Sequence, residues 1–259
     1  YKVIKSPYSS FGFSKCGLIR ILEAENGEQS ISVLEQYGTG IALILLDIVM
    51  PGMNGFEVTR KLKNEFTTSH IPIILLTALN IEEKYQEGIE SGADAYITKP
   101  FNVSLLLARI FKLIELRDKL RQKYSNEPGL AHSIICTNDK DQKFSVKLNE
   151  VLNEHMTDTD FSVNDFAGIM GLGRTVFYKK VRGVTGYSPY EYLRVMRMKK
   201  AAEMLLTEDL TIAEVAYSVG INDPFYFSKC FKNQFGVSPS AYRKKLSEDE
   251  NEPINDADV

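Results

Sequence analysis

From residue 41 to about residue 123, short apolar runs alternate with amphipathic stretches. Residues 41–46 (IALILL), 71–76 (IPIILL) and 95–98 (AYIT) are the apolar runs. Runs this short and this continuous are typical of parallel strands buried on both faces. Residues 55–65 and 81–91, lying between them, are amphipathic and read as helices. The alternation predicts βα units on a parallel sheet. A last helix is predicted from about Val103 past Leu116, because Leu106, Leu107, Ile110, Leu113 and Ile114 recur with a period near 3.6. Glu127-Pro128-Gly129 interrupts the pattern and Asn138-Asp139-Lys140-Asp141 is polar, so the linker is placed at 124–142. Residues 143–156 read as a helix entering a second domain, which extends to about residue 246.

That second region is written twice. Residues 165–192 and 214–242 are similar segments: Gly171 matches Gly220 at a spacing of 49, and Ser188-Pro189 matches Ser238-Pro239 at a spacing of 50. Each has a short apolar-periodic stretch, a glycine, and then a stretch mixing aromatics with lysine and arginine. This is the outline of a helix-turn-helix, duplicated. Gly171 and Gly220 serve the turns, while Gly186 and Gly236 end the second helices. The Ser-Pro pairs start the helices that follow. Phe177, Val181, Phe227, Phe231 and Phe235 are the predicted core. The fold class is therefore an α/β domain followed by an all-α domain with two helix-turn-helix units.

Composition narrows the function. A 259-residue chain with 44% hydrophobic and 25% charged residues is a globular protein of one or two domains. No apolar run approaches the roughly 18 residues of a membrane span. The first fifteen residues lack a basic start followed by an apolar stretch, so no signal peptide is expected. Cys16, Cys136 and Cys230 are isolated, and His70, His132 and His155 are scattered, which gives no metal-ligand spacing and suits a reducing, cytoplasmic setting. The net charge of −3 conceals a division. Residues 161–246 carry 13 basic and 7 acidic side chains, a net +6, whereas 247–259 carry 0 and 6. The acidic tail, without aromatics, is expected to be disordered. The basic charge coincides with the duplicated helix-turn-helix, as binding to phosphates requires.

In the α/β region, polar residues stand where ligands bind in open parallel sheets, at the C-terminal ends of strands. Asp47 follows ALILL, Thr77 follows IILL, and Lys99 follows AYIT. Around them lie Met50-Pro51-Gly52-Met53-Asn54-Gly55, Gly92-Ala93-Asp94-Ala95-Tyr96 and Lys99-Pro100-Phe101. On these motifs, roughly residues 16–123 resemble the receiver domain of two-component response regulators, a flavodoxin-like parallel sheet. The resemblance makes Asp47 the phosphoacceptor, a carboxylate that attacks a phosphohistidine or small phosphodonor. It makes Lys99 the cation that neutralises the phosphoryl oxygens, Thr77 their hydrogen-bond donor and Tyr96 the switch aromatic. Asn54-Gly55 would start the helix after the phosphorylation loop. Receivers hold Mg²⁺ with the phosphoacceptor and an acidic pair at the end of the first strand. Here the corresponding place falls near Lys2-Val3, and no aspartate precedes Asp47, so Asp47 is the one metal ligand the motif supplies. The first strand is expected to be missing or atypical, and Tyr1 at the start suits a piece of a longer protein.

Residues 158–246 resemble the DNA-binding domain of the AraC/XylS family, on RMKKAAEMLL (197–206) and IAEVAYSVGINDPFYFSKCFKNQFGVSPSAYR (212–243). The resemblance implies recognition helices at about 175–184 and 224–234, joined by a long helix at 190–206. Each would enter a major groove, the two segments about one turn (~34 Å) apart. Residues off their apolar faces are the candidate DNA contacts: Arg174, Thr175, Tyr178, Lys179 and Arg182 in the first unit, and Asn222, Asp223, Lys229, Lys232 and Asn233 in the second. Arginine and asparagine can pair with guanine and adenine edges, whereas lysines more often meet phosphates.

Together these imply a phosphorylation-controlled transcription factor, similar to the C-terminal half of hybrid two-component regulators. Its partners would be double-stranded DNA, a sensor histidine kinase in cis or in trans, and a second copy in an active homodimer, with no membrane contact. The homodimer would form through residues 81–91, 95–98 and 103–116. The alternative is a phosphorylation-independent DNA binder whose receiver serves dimerisation. An enzyme using Asp47 on an external phosphomonoester is disfavoured, because no second catalytic carboxylate lies nearby in the sequence. Kinase activity would reside in an upstream part of a hybrid.

Overall fold

The computed structural model describes residues 2–5, 20–37, 40–78, 91–126 and 139–249. The predicted helix at 81–91 therefore lies, but for Ser91, outside the described residues, as do Cys16, Cys136 and His132. The chain divides into two compact units.

The first unit contains a five-stranded sheet in the order β2-β1-β3-β4-β5. Its strands are β1 (Lys2–Lys5), β2 (Arg20–Glu23), β3 (Ile41–Asp47), β4 (Ile73–Ala78) and β5 (Ala95–Lys99). The pairs β3–β4 and β4–β5 are parallel, as the apolar runs predict. Of the two outcomes expected for the first strand, missing or atypical, the second is found: β1 is present and lies antiparallel to both β2 and β3. Lys2 pairs with Leu45, so the start of β1 lies beside the C-terminal end of β3.

The continuous apolar runs are explained by two cores, one on each face of the sheet. Ile44, Leu46, Ile73 and Leu75 join Leu34 of α1 (Gly27–Tyr37) and Phe56, Val58 and Leu62 of α2 (Gly55–Asn64). The alternate residues Leu43, Leu45, Ile74 and Ile97 join Leu106, Ile110 and Ile114 of α3 (Val103–Asn126). Each such side chain, fully buried, contributes about 2 kcal/mol.

Two boundaries shift. α3 runs to Asn126 and α4 (Asp139–His155) begins at Asp139, so the ends of the expected 124–142 linker are helical. Asp139 and Asp141 in the first turn of α4 complement its dipole. Likewise α10 (Pro239–Asp249) carries residues 247–249 as helix rather than tail, since Lys, Leu, Ser and Glu continue it at little cost.

The first unit also includes α6 (Arg174–Thr185). Lys180 on α6 is fully buried. Its ammonium forms an ion pair with Asp141 of α4, donates to the Phe66 carbonyl at 2.6 Å and the Ser69 hydroxyl at 2.8 Å, and sits 4.4 Å from the Phe66 ring centroid. Removing one charge from such a pair strands the other. Asp141→Asn is expected to destabilise this unit by about 3 kcal/mol, read by denaturant unfolding. A loss under about 1 kcal/mol, the level of an exposed pair, would show that water reaches the site.

The second unit contains α5 (Val163–Ile169), α7 (Pro189–Thr207), α8 (Ile212–Ser218), α9 (Pro224–Phe235) and α10. Met198, Ala201, Ala202 and Leu205 of α7 pack with Val215, Ala216 and Val219 of α8 and with Phe227, Cys230 and Phe231 of α9. The duplication reappears as paired capping boxes, Ser162 with Asp165 on α5 and Thr211 with Glu214 on α8. Hydrogen bonds from the capping hydroxyl and then the backbone N–H hold both carboxyls below their usual range. Their contribution is present at neutral pH and is lost as pH falls through the carboxylate range.

Candidate functional site

Asp47 is the last residue of β3, and its pairing partner on β4 is Leu76. Thr77, Ala78 and Lys99 follow at the same edge, with Thr77 paired to Thr98 and Ala78 to Lys99. The parallel register therefore gathers the three polar residues at one sheet edge. The Lys99 ammonium reaches across from β5 to form an ion pair with the Asp47 carboxylate. Both side chains remain open to solvent, at 39% and 28% exposure. The other Asp47 oxygen accepts from the Val49 N–H at 3.3 Å. Thr77 donates its hydroxyl to the Ala78 carbonyl at 3.1 Å and would have to rotate to reach a phosphoryl group. Tyr96 packs partly buried against the α1–α2 side of the sheet, and its carbonyl accepts from Arg109 at 3.2 Å.

The loop after Asp47 is shaped by close approach. The Gly55 N–H donates to the Ile48 carbonyl at 3.0 Å, and a Cβ on Gly55 would collide with the Asp47 carbonyl and lie 2.9 Å from Ile48 Cα. No side chain fits there, which accounts for glycine beside Asp47. Asn54 caps α2 and completes a capping box with Glu57. Asp94, noted only as part of a motif, accepts from Lys63 at 2.7 Å and from the Ile73 N–H at 2.8 Å, pinning the start of β4.

A hard cation needs several oxygen ligands. Among the described residues no group of three His, Cys, Asp or Glu could hold a metal. Asp47 is one carboxylate and already carries an ammonium, and β1 brings Lys2 beside Leu45 where an acidic pair would be needed. The described residues do not fit Mg²⁺.

On the helical side, α6 and α9 span the predicted recognition helices to within a residue at each end. Their glycine caps, Gly186 and Gly236, are left-handed at φ 84° and 79°. Arg174, Thr175 and Tyr178 on α6 are exposed, and Lys179 and Arg182 are half-buried. Asn222, Asp223, Lys229, Lys232 and Asn233 are exposed. Asp223 also has a structural role that the sequence reading leaves out: it caps α9, accepting from the Phe225 N–H at 2.8 Å. Arg197 is spent internally, donating to the carbonyls of Met156 at 2.8 Å and Asp158 at 2.6 Å. The sequence reading also missed Phe225, which is 89% exposed. Its phase relative to Phe227 and Phe231 is the signal that could have found it.

The family model described as a response regulator receiver domain matches residues 11–111, and that described as a helix-turn-helix domain matches residues 166–245. The uncharacterized transcriptional regulatory protein YclJ of Bacillus subtilis is 31% identical over 182 residues, which is 69% of this chain and 77% of YclJ. The chain belongs to the response regulators, with an AraC-type helix-turn-helix region.

The regulator is also 38% identical over 228 residues to Histidine kinase P4 of Formosa agariphila, covering 88% of this chain but spanning 16% of that protein's length. Among solved structures, the C-terminal domain of the two-component response regulator yesN from Fusobacterium nucleatum is similar, at 29% identity and a TM-score of 0.36, over 38% of this chain and 94% of that one. Among the regulator's described residues, no helix is long and apolar enough to cross a membrane.

Proposed function

We propose that the regulator is a sequence-specific transcription factor whose DNA binding is set by phosphorylation of Asp47. The observation that supports this most is the Asp47–Lys99 ion pair at the C-terminal sheet edge, in one chain with two helix-turn-helix units. A carboxylate oxygen of Asp47 attacks the donor's phosphorus, forming an acyl phosphate as the bond to the donor's leaving group breaks. Lys99 then faces a dianionic phosphoryl group instead of a carboxylate. The added charge gives Thr77 a stronger acceptor than the Ala78 carbonyl, and Tyr96 on the neighbouring strand β5 is the switch residue that responds. A histidine kinase, in cis or in trans, is the donor. Similarity to a relative named as a histidine kinase over 88% of the chain favours cis.

The apolar residues exposed on α3, including Leu107 at 43% and Phe111 at 44%, support a homodimer of the active form. The recognition helices carry the DNA contacts, with Arg174 reading a base edge and Lys229 and Lys232 meeting phosphates. Changing both lysines to alanine is expected to weaken binding across many sequences and to reduce the slope of log K against log[salt] by about 2. An unchanged slope in a salt series would remove α9 from the backbone contacts.

A second reading is favoured by the incomplete metal set. In it, the receiver region serves dimerisation and DNA binding is independent of phosphate. The deciding experiment is operator affinity of wild type and Asp47→Asn, with and without acetyl phosphate. A response confined to wild type supports phosphorylation control, and equal affinities in all four arms support the second reading.

A further inference from the structure

Phe225 is the second residue of α9 and is 89% exposed, on a helix that buries Phe227, Cys230 and Phe231. At 100° per residue it points about 200° away from Phe227, opposite the core. Lys229 and Lys232, at i+4 and i+7, lie on that same outward face, and both are exposed. The face therefore begins with one bare phenyl ring and continues with two cations. Tyr226, the next residue, and Tyr190 are also exposed, with their hydroxyls 3.3 Å apart. A phenyl ring bordered by two lysines and two phenolic hydroxyls is a poor seed for an apolar protein interface. It suits a polyanion that offers a small apolar spot at the right depth. In the major groove that spot is the C5-methyl group of thymine, the apolar feature among the donors and acceptors of the base edges. The first turn of a recognition helix is the part that reaches base edges. Asp223, capping the helix through the Phe225 N–H at 2.8 Å, fixes the backbone that carries the ring.

We infer that Phe225 is a specificity-determining residue that packs against a thymine methyl in the major groove. The inference rests on the DNA-binding reading above. The test uses the full chain, wild type and Phe225→Ala, in site selection from random duplex DNA. Each thymine of the selected site is then replaced in turn by deoxyuridine, which removes only the methyl. One replacement is expected to weaken wild type about fivefold, the size of one buried methyl, and to leave Phe225→Ala unaffected. Phe225→Ala should itself bind the thymine-containing site about fivefold more weakly or worse. Unchanged site preference and affinity in Phe225→Ala, or uridine penalties equal in the two proteins, would overturn the inference while leaving DNA binding intact. Failure of wild type to select any sequence would overturn the DNA-binding reading itself, and the inference with it.

Discussion

Asp47→Asn is expected to take up no phosphoryl group, whereas wild type incubated with acetyl phosphate gains one per chain by intact mass. The side-chain amide has no anionic oxygen to attack phosphorus. Loss of fold would not account for the difference. Asp47 and Lys99 are both partly exposed, and such pairs are worth at most about 1 kcal/mol. The Asn54–Glu57 capping box and the Gly55–Ile48 hydrogen bond that shape the neighbouring loop do not involve the Asp47 side chain. Running both proteins with and without Mg²⁺ adds a second answer. An adduct that requires Mg²⁺ would mean that residues beyond those described complete the metal set, or that the loop rearranges to do so. An adduct of equal yield in Asp47→Asn would place the acceptor elsewhere and sink the assignment.

The second large effect is predicted at Gly220. It adopts φ +76°, and a Cβ there would lie 2.6 Å from the Met156 carbonyl, 2.8 Å from Arg197 Nη2 and 3.0 Å from the Thr157 carbonyl. Two of these three obstacles are backbone, and the third is a guanidinium already donating to Met156 and Asp158. Gly220→Ala therefore combines left-handed strain with an overpacked turn, for about 3 kcal/mol together. At roughly 3 °C per kcal/mol, the transition should fall by roughly 10 °C. Gly171, its counterpart in the first copy, has φ +71° but nothing within 4 Å of its Cβ position. Gly171→Ala should cost only the strain, about 1 kcal/mol. Thermal unfolding of both variants by circular dichroism is the check. Equal losses would mean that the close approach around Gly220 relaxes freely.

Much of the architecture was legible because its causes are local. The apolar runs that become β3 and β4 are continuous because each is buried on two faces, whereas the shorter β5 buries Ile97 alone. The positions of Asn54, Gly186, Gly236 and the Ser-Pro pairs name helix ends directly, since caps and left-handed stops depend on one or two residues. The polar residues Asp47, Thr77 and Lys99 were legible as strand ends for the same reason.

Other features were invisible because they depend on partners remote in the chain. Composition gives no sign that Lys180 is fully buried while its neighbour Lys179 is only half-buried. Its burial depends on Asp141, Phe66 and Ser69 converging on it. Nor does the sequence show that β1 runs antiparallel between β2 and β3, since strand direction is chosen by pairing. Phe225 was passed over because composition counts phenylalanine as core, and only the phase of α9 turns it outward.

The sequence by itself determined strands β3, β4 and β5 and the duplicated helices with their caps, and it nominated the residues proposed to carry phosphate and meet DNA. These follow from periodicity, turn chemistry and charge, which act over a few residues. Tertiary structure alone decided which glycine tolerates a methyl group, which lysine is buried, and that Asp47 meets Lys99. Those outcomes depend on distances between segments far apart in the chain, which the packing of the sheet and helices sets.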